Sequence, residues 1–268
     1  MTSKQYPIID VRQLTRVFGD LTALTDVSFT VPAGSIFALL GPNGAGKSTM
    51  IKILTTLLTP SSGAILVNGH NPVIHPDEVR RSLGIVFQDP SLDDELTAKE
   101  NMELHGVLYG VPKSLRRERI QHLLTFVDLW DRKDDFVKNF SGGMKRRLEI
   151  ARGLLHHPKI LFLDEPTLGL DPQTRSHMWE YILRLNQSEG MTIFFTTHYI
   201  EEAEQAAQTV AIIDHGKLIA EGSPGALKTR TGSATLEQAF LALTGSEIRT
   251  EGASGADRMR MRHKVWHR

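Results

Sequence analysis

Apolar and polar residues alternate along 8–18 (IIDVRQLTRVF) and again along 24–31 (LTDVSFTV). This two-residue period belongs to strands with one buried face, and Gly19-Asp20 between them predicts an antiparallel pair. The next apolar run, IFALL at 36–40, has no polar alternation and reads as a strand buried on both faces. A helix follows over about 47–58, ended by TPSSG, then strands at 64–68 and 83–88. From about Ala98 to Val127 the pattern turns helical, and another helix runs from the FSGG turn to about His156. A buried strand at 160–166, an amphipathic helix at 173–188, and strands at 191–197 and 209–214 complete the order, with a hairpin through His215-Gly216. Strands alternating with helices predict an α/β fold with a mainly parallel core sheet covered on both faces. To it are added an N-terminal antiparallel β subdomain and a helical subdomain at about 90–157. One domain is expected over 1–245. Beyond it, 246–268 loses periodicity and carries Arg258, Arg260, Arg262, Lys264, Trp266 and Arg268. That stretch reads as a flexible, solvated basic tail, of a kind that also suits anionic headgroups or nucleic acid.

The strand at 36–40 runs directly into GPNGAGKST, residues 41–49, which fits G-x-x-x-x-G-K-[ST] between a buried strand and a helix. Gly41, Gly44 and Gly46 allow tight, positive-φ backbone, so that successive N–H groups converge on phosphate oxygens. The following helix adds its N-terminal partial charge. Lys47 supplies a mobile cation for the β and γ phosphates, and the Ser48 hydroxyl is placed to ligate Mg2+. A second cluster follows the buried strand ILFLDEP, whose end lies where open parallel sheets carry ligands. There Asp164 is suited to hold magnesium, and Glu165 to take a proton from water attacking a γ phosphate.

Composition narrows the chemistry. Lys plus Arg and Asp plus Glu number 31 each, so no global field favours nucleic acid or an acidic surface. The absence of cysteine excludes disulfides, thiolate metal sites and cysteine nucleophiles. MTSKQYPIIDVRQL has no apolar signal core, and no run approaches the roughly 18–20 apolar residues of a membrane span. The chain is expected not to enter a bilayer by itself. Two histidine groupings invite a metal reading. Glu201, Glu202 and Glu204 near His198 are better read as a solvated helix face, and His156-His157 before Pro158 as a helix end.

The class is carried by further motifs. FSGGMKRRLEIAR (140–152), shortly before the acidic strand, closely resembles the signature of ATP-binding-cassette (ABC) proteins. Phe18 matches that family's adenine-stacking aromatic, Gln88 in IVFQDP its Q-loop, LGLD (168–171) its D-loop, and His198 in TTHYIEEAE its switch histidine. Taken alone, Phe18 reads as a core residue and Gln88 means little. Together the motifs span about 8–222 in the family's order. The resemblance implies an ATPase that uses ATP and Mg2+. Nucleotide would be bound by Phe18, Gly41, Pro42, Asn43, Gly44, Ala45, Gly46, Lys47, Ser48 and Thr49, and by Ser141, Gly142, Gly143 and Asp171. Metal would be held by Ser48, Gln88 and Asp164, and catalysis would fall to Glu165, His198, Gln88 and Lys47.

The signature of one cassette closes over the phosphate loop of another in this family, so a single cassette implies a homodimer around two ATP molecules. The short stretch between Gln88 and Ser141 leaves no room for the long coiled coils of chromosome and repair ATPases, and translation-factor relatives carry two cassettes. Both points favour a transporter subunit working with a separate integral-membrane permease at the cytoplasmic face of the inner membrane, with no nucleic acid. SLDDELTAKENMELHGVLYGVP (91–112) and TLEQAFLALTG (235–245) resemble the daunorubicin-resistance-type exporter branch, in which the region after Gln88 receives a permease helix. An importer ATPase, or a soluble ATPase without a transport role, is the alternative. Phe140 and Met144 depart from the commonest LSGGQ form.

Overall fold

The computed structural model describes residues 6–89 and 91–245. The basic tail predicted at 246–268 lies outside them. Two sheets form the frame. The smaller is antiparallel in the order β2-β1-β4, from β1 (Ile9–Phe18), β2 (Leu21–Val31) and β4 (Ser62–Val67). The larger has the order β5-β6-β7-β3-β8-β9, from β3 (Ile36–Leu40), β5 (Leu83–Val86), β6 (Ile160–Asp164), β7 (Thr192–Thr197), β8 (Thr209–Asp214) and β9 (Lys217–Gly222). Its strands are parallel except β9, which returns antiparallel on β8. The expected strand at 64–68 therefore belongs to the antiparallel sheet, where it pairs with β1.

The first hairpin turns at Gly19-Asp20 as predicted, with Phe18 opposite Leu21. Its alternation is not continuous, because Gln13 and Asp26 adopt positive φ (50° and 51°) inside the strands. These bulges shift the register, so Ile9, Val11 and Leu14 all face the core despite their uneven spacing. The other hairpin turns at His215 (φ 45°) and Gly216 (φ 74°), the paired positive values of the turn that matches strand twist.

The helices are α1 (Lys47–Leu54), α2 (Pro76–Ser82), α3 (Ala98–Leu108), α4 (Lys113–Phe126), α5 (Gly142–Leu154), α6 (Pro172–Glu189), α7 (Ile200–Ala206), α8 (Pro224–Thr231) and α9 (Leu236–Thr244). The helical stretch expected over 98–127 is broken between α3 and α4, where Gly110 takes φ 67° and Pro112 stands immediately before α4. Thr97 and Glu100 cap α3 reciprocally. The short helix α2 carries no amphipathic repeat long enough to read from sequence. It starts on Pro76 and is flanked by Asp77 and Glu78 at one end and Arg80 and Arg81 at the other.

Two apolar clusters lie on opposite faces of the large sheet. One joins Ala38, Leu161, Leu163, Ile193 and Phe195 to α3, α4, α5 and α6. The other joins Phe37, Phe162 and Phe194 to α1 and the antiparallel sheet. Phe194 centres the second: its ring lies 5.3 Å from Phe37, 5.3 Å from Phe162 and 6.1 Å from Phe29 of β2. Phe194→Ala is expected to cost about 3–5 kcal/mol by opening a cavity at the junction of the two sheets, read as a lowered urea midpoint.

Candidate active site

The order β6-β7-β3 brings three strand ends together at the C-terminal edge of the sheet, carrying Asp164-Glu165, Thr197-His198 and the loop 41–46. Ligands in open α/β sheets bind at this edge. Gly44 and Gly46 have φ 82° and 105°, as the loop chemistry predicts. Gly41 does not have positive φ, and its reason differs: a Cβ there would lie 2.2 Å from the Ile213 carbonyl oxygen. Asn43 and Gly44 are exposed, and Lys47 is buried.

Lys47 Nζ donates to the Gly41 carbonyl at 2.8 Å and the Pro42 carbonyl at 3.1 Å, and lies 3.2 Å from Glu165 Oε1. Burial lowers its pKa, against the raising effect of Glu165 and Asp164. The Ser48 hydroxyl reaches Asp164 Oδ1 at 3.4 Å, and the same oxygen accepts from Thr196 Oγ1 at 2.6 Å. Ser48 and Asp164 thus present two hard oxygen donors side by side, a set that suits magnesium.

Glu165 follows the last strand residue with φ 49°, a costly conformation for a non-glycine residue. Its backbone N–H donates to the Thr196 hydroxyl at 3.1 Å. That kink turns the carboxylate between Lys47 and His198, whose Nδ1 donates to Glu165 Oε2 at 2.6 Å. Burial raises the pKa of the carboxyl, but the His198 hydrogen bond and the Lys47 charge outweigh it and hold the group below its usual value. The imidazole ring packs on Tyr199 at 4.1 Å.

Among the other predicted residues, Phe18 ends β1 at 40 % exposure, with the Arg16 guanidinium 4.2 Å from its ring centroid. It is not a core residue. Gln88 is exposed, and among the described residues its side chain has no hydrogen-bond partner, so the structure does not bring it to Ser48 and Asp164. Ser141 caps α5 by accepting from the Met144 N–H at 3.3 Å. Ser141 and Gly142 are exposed. Gly143 faces α6, where a Cβ would meet Thr174 Cγ2 at 2.5 Å. Asp171 caps α6, accepting from Thr174 N at 2.9 Å and Thr174 Oγ1 at 2.6 Å, and these bonds lower its pKa. The signature turn and the D-loop are therefore neighbours.

The solvated-face reading of 201–204 holds for Glu201, which is exposed, and is corrected for Glu202 and Glu204. Glu202 is buried and accepts from the hydroxyls of Thr167 and Thr197, the latter at 2.8 Å. Glu204 accepts from Lys228 Nζ at 2.7 Å. Glu202 thus ties the segment after Glu165 to the strand end before His198. Thr197 lies 5 residues from Glu202 but Thr167 lies 35 away, so no local signal marks the pair. His156 lies in the turn just after α5, its Nε2 2.8 Å from the Leu83 carbonyl and its ring stacked on Tyr109. No metal-holding cluster of His, Cys, Asp and Glu occurs among the described residues.

A glycine loop between a buried strand and a helix, joined to an Asp-Glu pair on the neighbouring strand ends, defines a P-loop nucleoside triphosphatase. The family described as ABC transporter matches residues 24–168. The chain is 43% identical over 236 residues to the daunorubicin/doxorubicin resistance ATP-binding protein DrrA of Streptomyces peucetius, covering 88% of this chain and 71% of that one. It is also 43% identical over 219 residues to the Nod factor export ATP-binding protein I of Rhizobium sp. (strain N33), covering 82% and 72%. Among solved structures, a dimeric post-hydrolysis state of an ATP-binding cassette bound to ADP and Pi superposes with a TM-score of 0.72 at 28% identity, covering 80% and 98%. The chain belongs to the ABC transporter family and is an ATPase of that class.

The depressed pKa of Glu165 has a checkable consequence. Its folded pKa lies below its unfolded one, so its ionised contacts stabilise the fold fully above the usual 4.5 and are lost as pH falls through the folded value. The stability difference between wild type and Glu165→Gln, measured by urea unfolding, is expected to shrink steadily as pH is lowered below about 4.5.

Proposed function

We propose that this chain is the energy-coupling ATPase of an exporter, closing as a symmetric homodimer around two ATP molecules and driving a separate membrane permease. One observation carries the reading. The chain's own phosphate loop is already served by Asp164, Glu165 and His198, while the signature turn opens α5 with Ser141 and Gly142 exposed, the serine hydroxyl bonded among the described residues to its own helix alone. An exposed helix N-terminus with a hydroxyl and bare N–H groups is a second phosphate grip, and a second copy supplies the phosphate.

In this reading Phe18 offers its ring to adenine, and the N–H groups of 41–49 cradle the phosphates. Ser48 and Asp164, joined by Gln88, would hold magnesium, which would supply positive charge to offset that of the phosphates. Lys47 turns from Glu165 Oε1 to the phosphate oxygens, while the His198 hydrogen bond stays on the Glu165 carboxylate. Glu165 then takes the proton of the attacking water as its oxygen bonds to the γ phosphorus and the β–γ bridging bond breaks, giving ADP and phosphate. His198 keeps the carboxylate aimed, and Asp171 faces the partner across the D-loop. Pro42, Asn43, Ala45, Thr49 and Gly142 complete the nucleotide contacts.

Export is supported by the names of the relatives, a drug-resistance protein and an export protein. A permease contact is supported by α3, which follows the Gln88 loop and leaves Leu104, Val107 and Leu108 exposed. No helix among the described residues is long and apolar enough to cross a membrane. Attachment to the cytoplasmic face would thus come through the permease. The expected domain, 1–245, would act as one working unit.

Glu165→Gln is expected to lower ATP turnover by at least about 100-fold and to accumulate a dimer with ATP and magnesium, seen by light scattering. A variant that stays monomeric with ATP and magnesium, while the wild type turns over, overturns the homodimer reading.

A further inference from the structure

Helix α5 carries three charged side chains on one face, Arg146, Glu149 and Arg152, spaced three apart. All three are directed at the segment after β5. Arg146 Nη1 donates to the Phe87 carbonyl, and its Nη2 donates to the Gln88 carbonyl at 3.0 Å. Glu149 Oε1 accepts from the Ser91 N–H at 2.8 Å and the Ser91 hydroxyl at 3.2 Å. Arg152 Nη1 donates to the Ser91 carbonyl at 2.7 Å, and its Nη2 to the Ser91 hydroxyl. Within the ladder, Arg146 Nη1 lies 3.2 Å from Glu149 Oε2. Glu149 is 1 % exposed and Arg146 6 %.

Two buried charges are a poor way to hold a helix against a sheet, because apolar side chains of the same volume pack as well without the desolvation penalty. What the charges do that apolar residues cannot is grip backbone. They bind the carbonyls of 87 and 88 and the N–H of 91, groups that no strand ladder satisfies once β5 has ended at Val86. The side chain of Gln88 meanwhile stays exposed and without a partner among the described residues. Backbone groups of Phe87, Gln88 and Ser91 are held, and the Gln88 side chain has no partner among the described residues.

We propose that Arg146, Glu149 and Arg152 are positioning residues that transmit a displacement of Gln88 to the signature turn of the same chain. Helix α5 is the rigid arm. Its N-terminus is Ser141, less than two turns from Arg146, and Gly143 is in close approach to Thr174 beside Asp171. When Gln88 moves toward the nucleotide on its own chain, the held carbonyls carry Arg146, and with it Ser141 to Gly143, which grip the nucleotide of the partner copy. Occupancy of one site thus aligns the signature for the other, and the two sites couple. This rests on the homodimer reading above.

The test uses the apolar double replacement R146M/E149L, alone for turnover and in the Glu165→Gln chain for dimerisation. The double variant is expected to unfold at a temperature no lower than its parent and to bind ATP with magnesium within about two-fold of it, since no residue of the phosphate loop is touched. Hydrogen exchange at the Ser91 amide should quicken at least about tenfold, because its acceptor is gone. The Hill coefficient for ATP should fall from about 2 to about 1, with kcat lowered at least about tenfold by a misplaced signature. Fast exchange at Ser91 with an unchanged Hill coefficient and kcat would overturn the proposal, leaving the ladder a packing device. Should the double variant not fold, Arg146→Lys decides. It keeps a charge beside Glu149 but cannot fork between two carbonyls, so KM should hold within about two-fold while kcat falls several-fold; an unchanged kcat overturns the proposal. If Glu165→Gln forms no ATP-dependent dimer, the homodimer reading fails first and the coupling falls with it. A Glu165→Gln dimer that forms equally well with and without the ladder sinks the ladder alone.

Discussion

The contact on which the site depends is the one that holds Glu165. A carboxylate at the end of a buried strand would ordinarily point along the strand direction or turn to solvent. Here the backbone takes positive φ, and the side chain is fixed between a buried ammonium and an imidazole. The strain is sustained because the surrounding structure over-determines it: the Glu165 N–H is bonded to Thr196, and the Thr196 hydroxyl is bonded in turn to Asp164. The ends of β6 and β7 meet there with the loop that follows β3, which Lys47 grips through the Gly41 and Pro42 carbonyls, so the strand order of the parallel sheet and the chemistry of the site are one constraint.

Around this centre the chain uses buried charge to tie loops together. Glu202 joins the strand end before His198 to Thr167, in the segment leading to Asp171. Glu149 and Arg146 join the Gln88 segment to the helix that begins at the signature. Glu202 accepts from the buried hydroxyls of Thr167 and Thr197, and Glu149 from the N–H and hydroxyl of Ser91; such partners make burying a carboxylate tolerable. In both places the charge lies one step behind the chemistry: Arg146 and Glu149 hold backbone groups of the Gln88 segment, and Glu202 holds the hydroxyls of Thr167 and Thr197.

Much of this was legible in sequence. The phosphate loop, the acidic pair and the signature announce themselves through residue type and spacing, and uninterrupted apolar runs mark the buried strands. Two kinds of information were not legible. Bulges at Gln13 and Asp26 break the strand period without any glycine to mark them, and α2 is too short to show a helical repeat. Glu202 was misread because the side it faces is decided by tertiary contacts: its hydroxyl partners are Thr167 and Thr197, far apart in the chain, and no local pattern shows that they converge. Arg146 and Glu149 were hidden in the same way, inside a basic run that looks like a solvated helix face.

The two residues that set this signature apart from the commonest form are placed by packing. Phe140 is buried in the cluster under α5, with Arg132 across its ring, and Met144 packs against the same cluster. Ser141 and Gly142 lie between them and are exposed. An aromatic anchor before the turn and a flexible thioether after it clamp α5 from both sides of its first turn, in apolar contacts that cost no desolvation of a polar group. A glutamine at 144 would bring an amide needing partners into that cluster. The two departures therefore leave Ser141 and Gly142 exposed and fasten the helix start to the core.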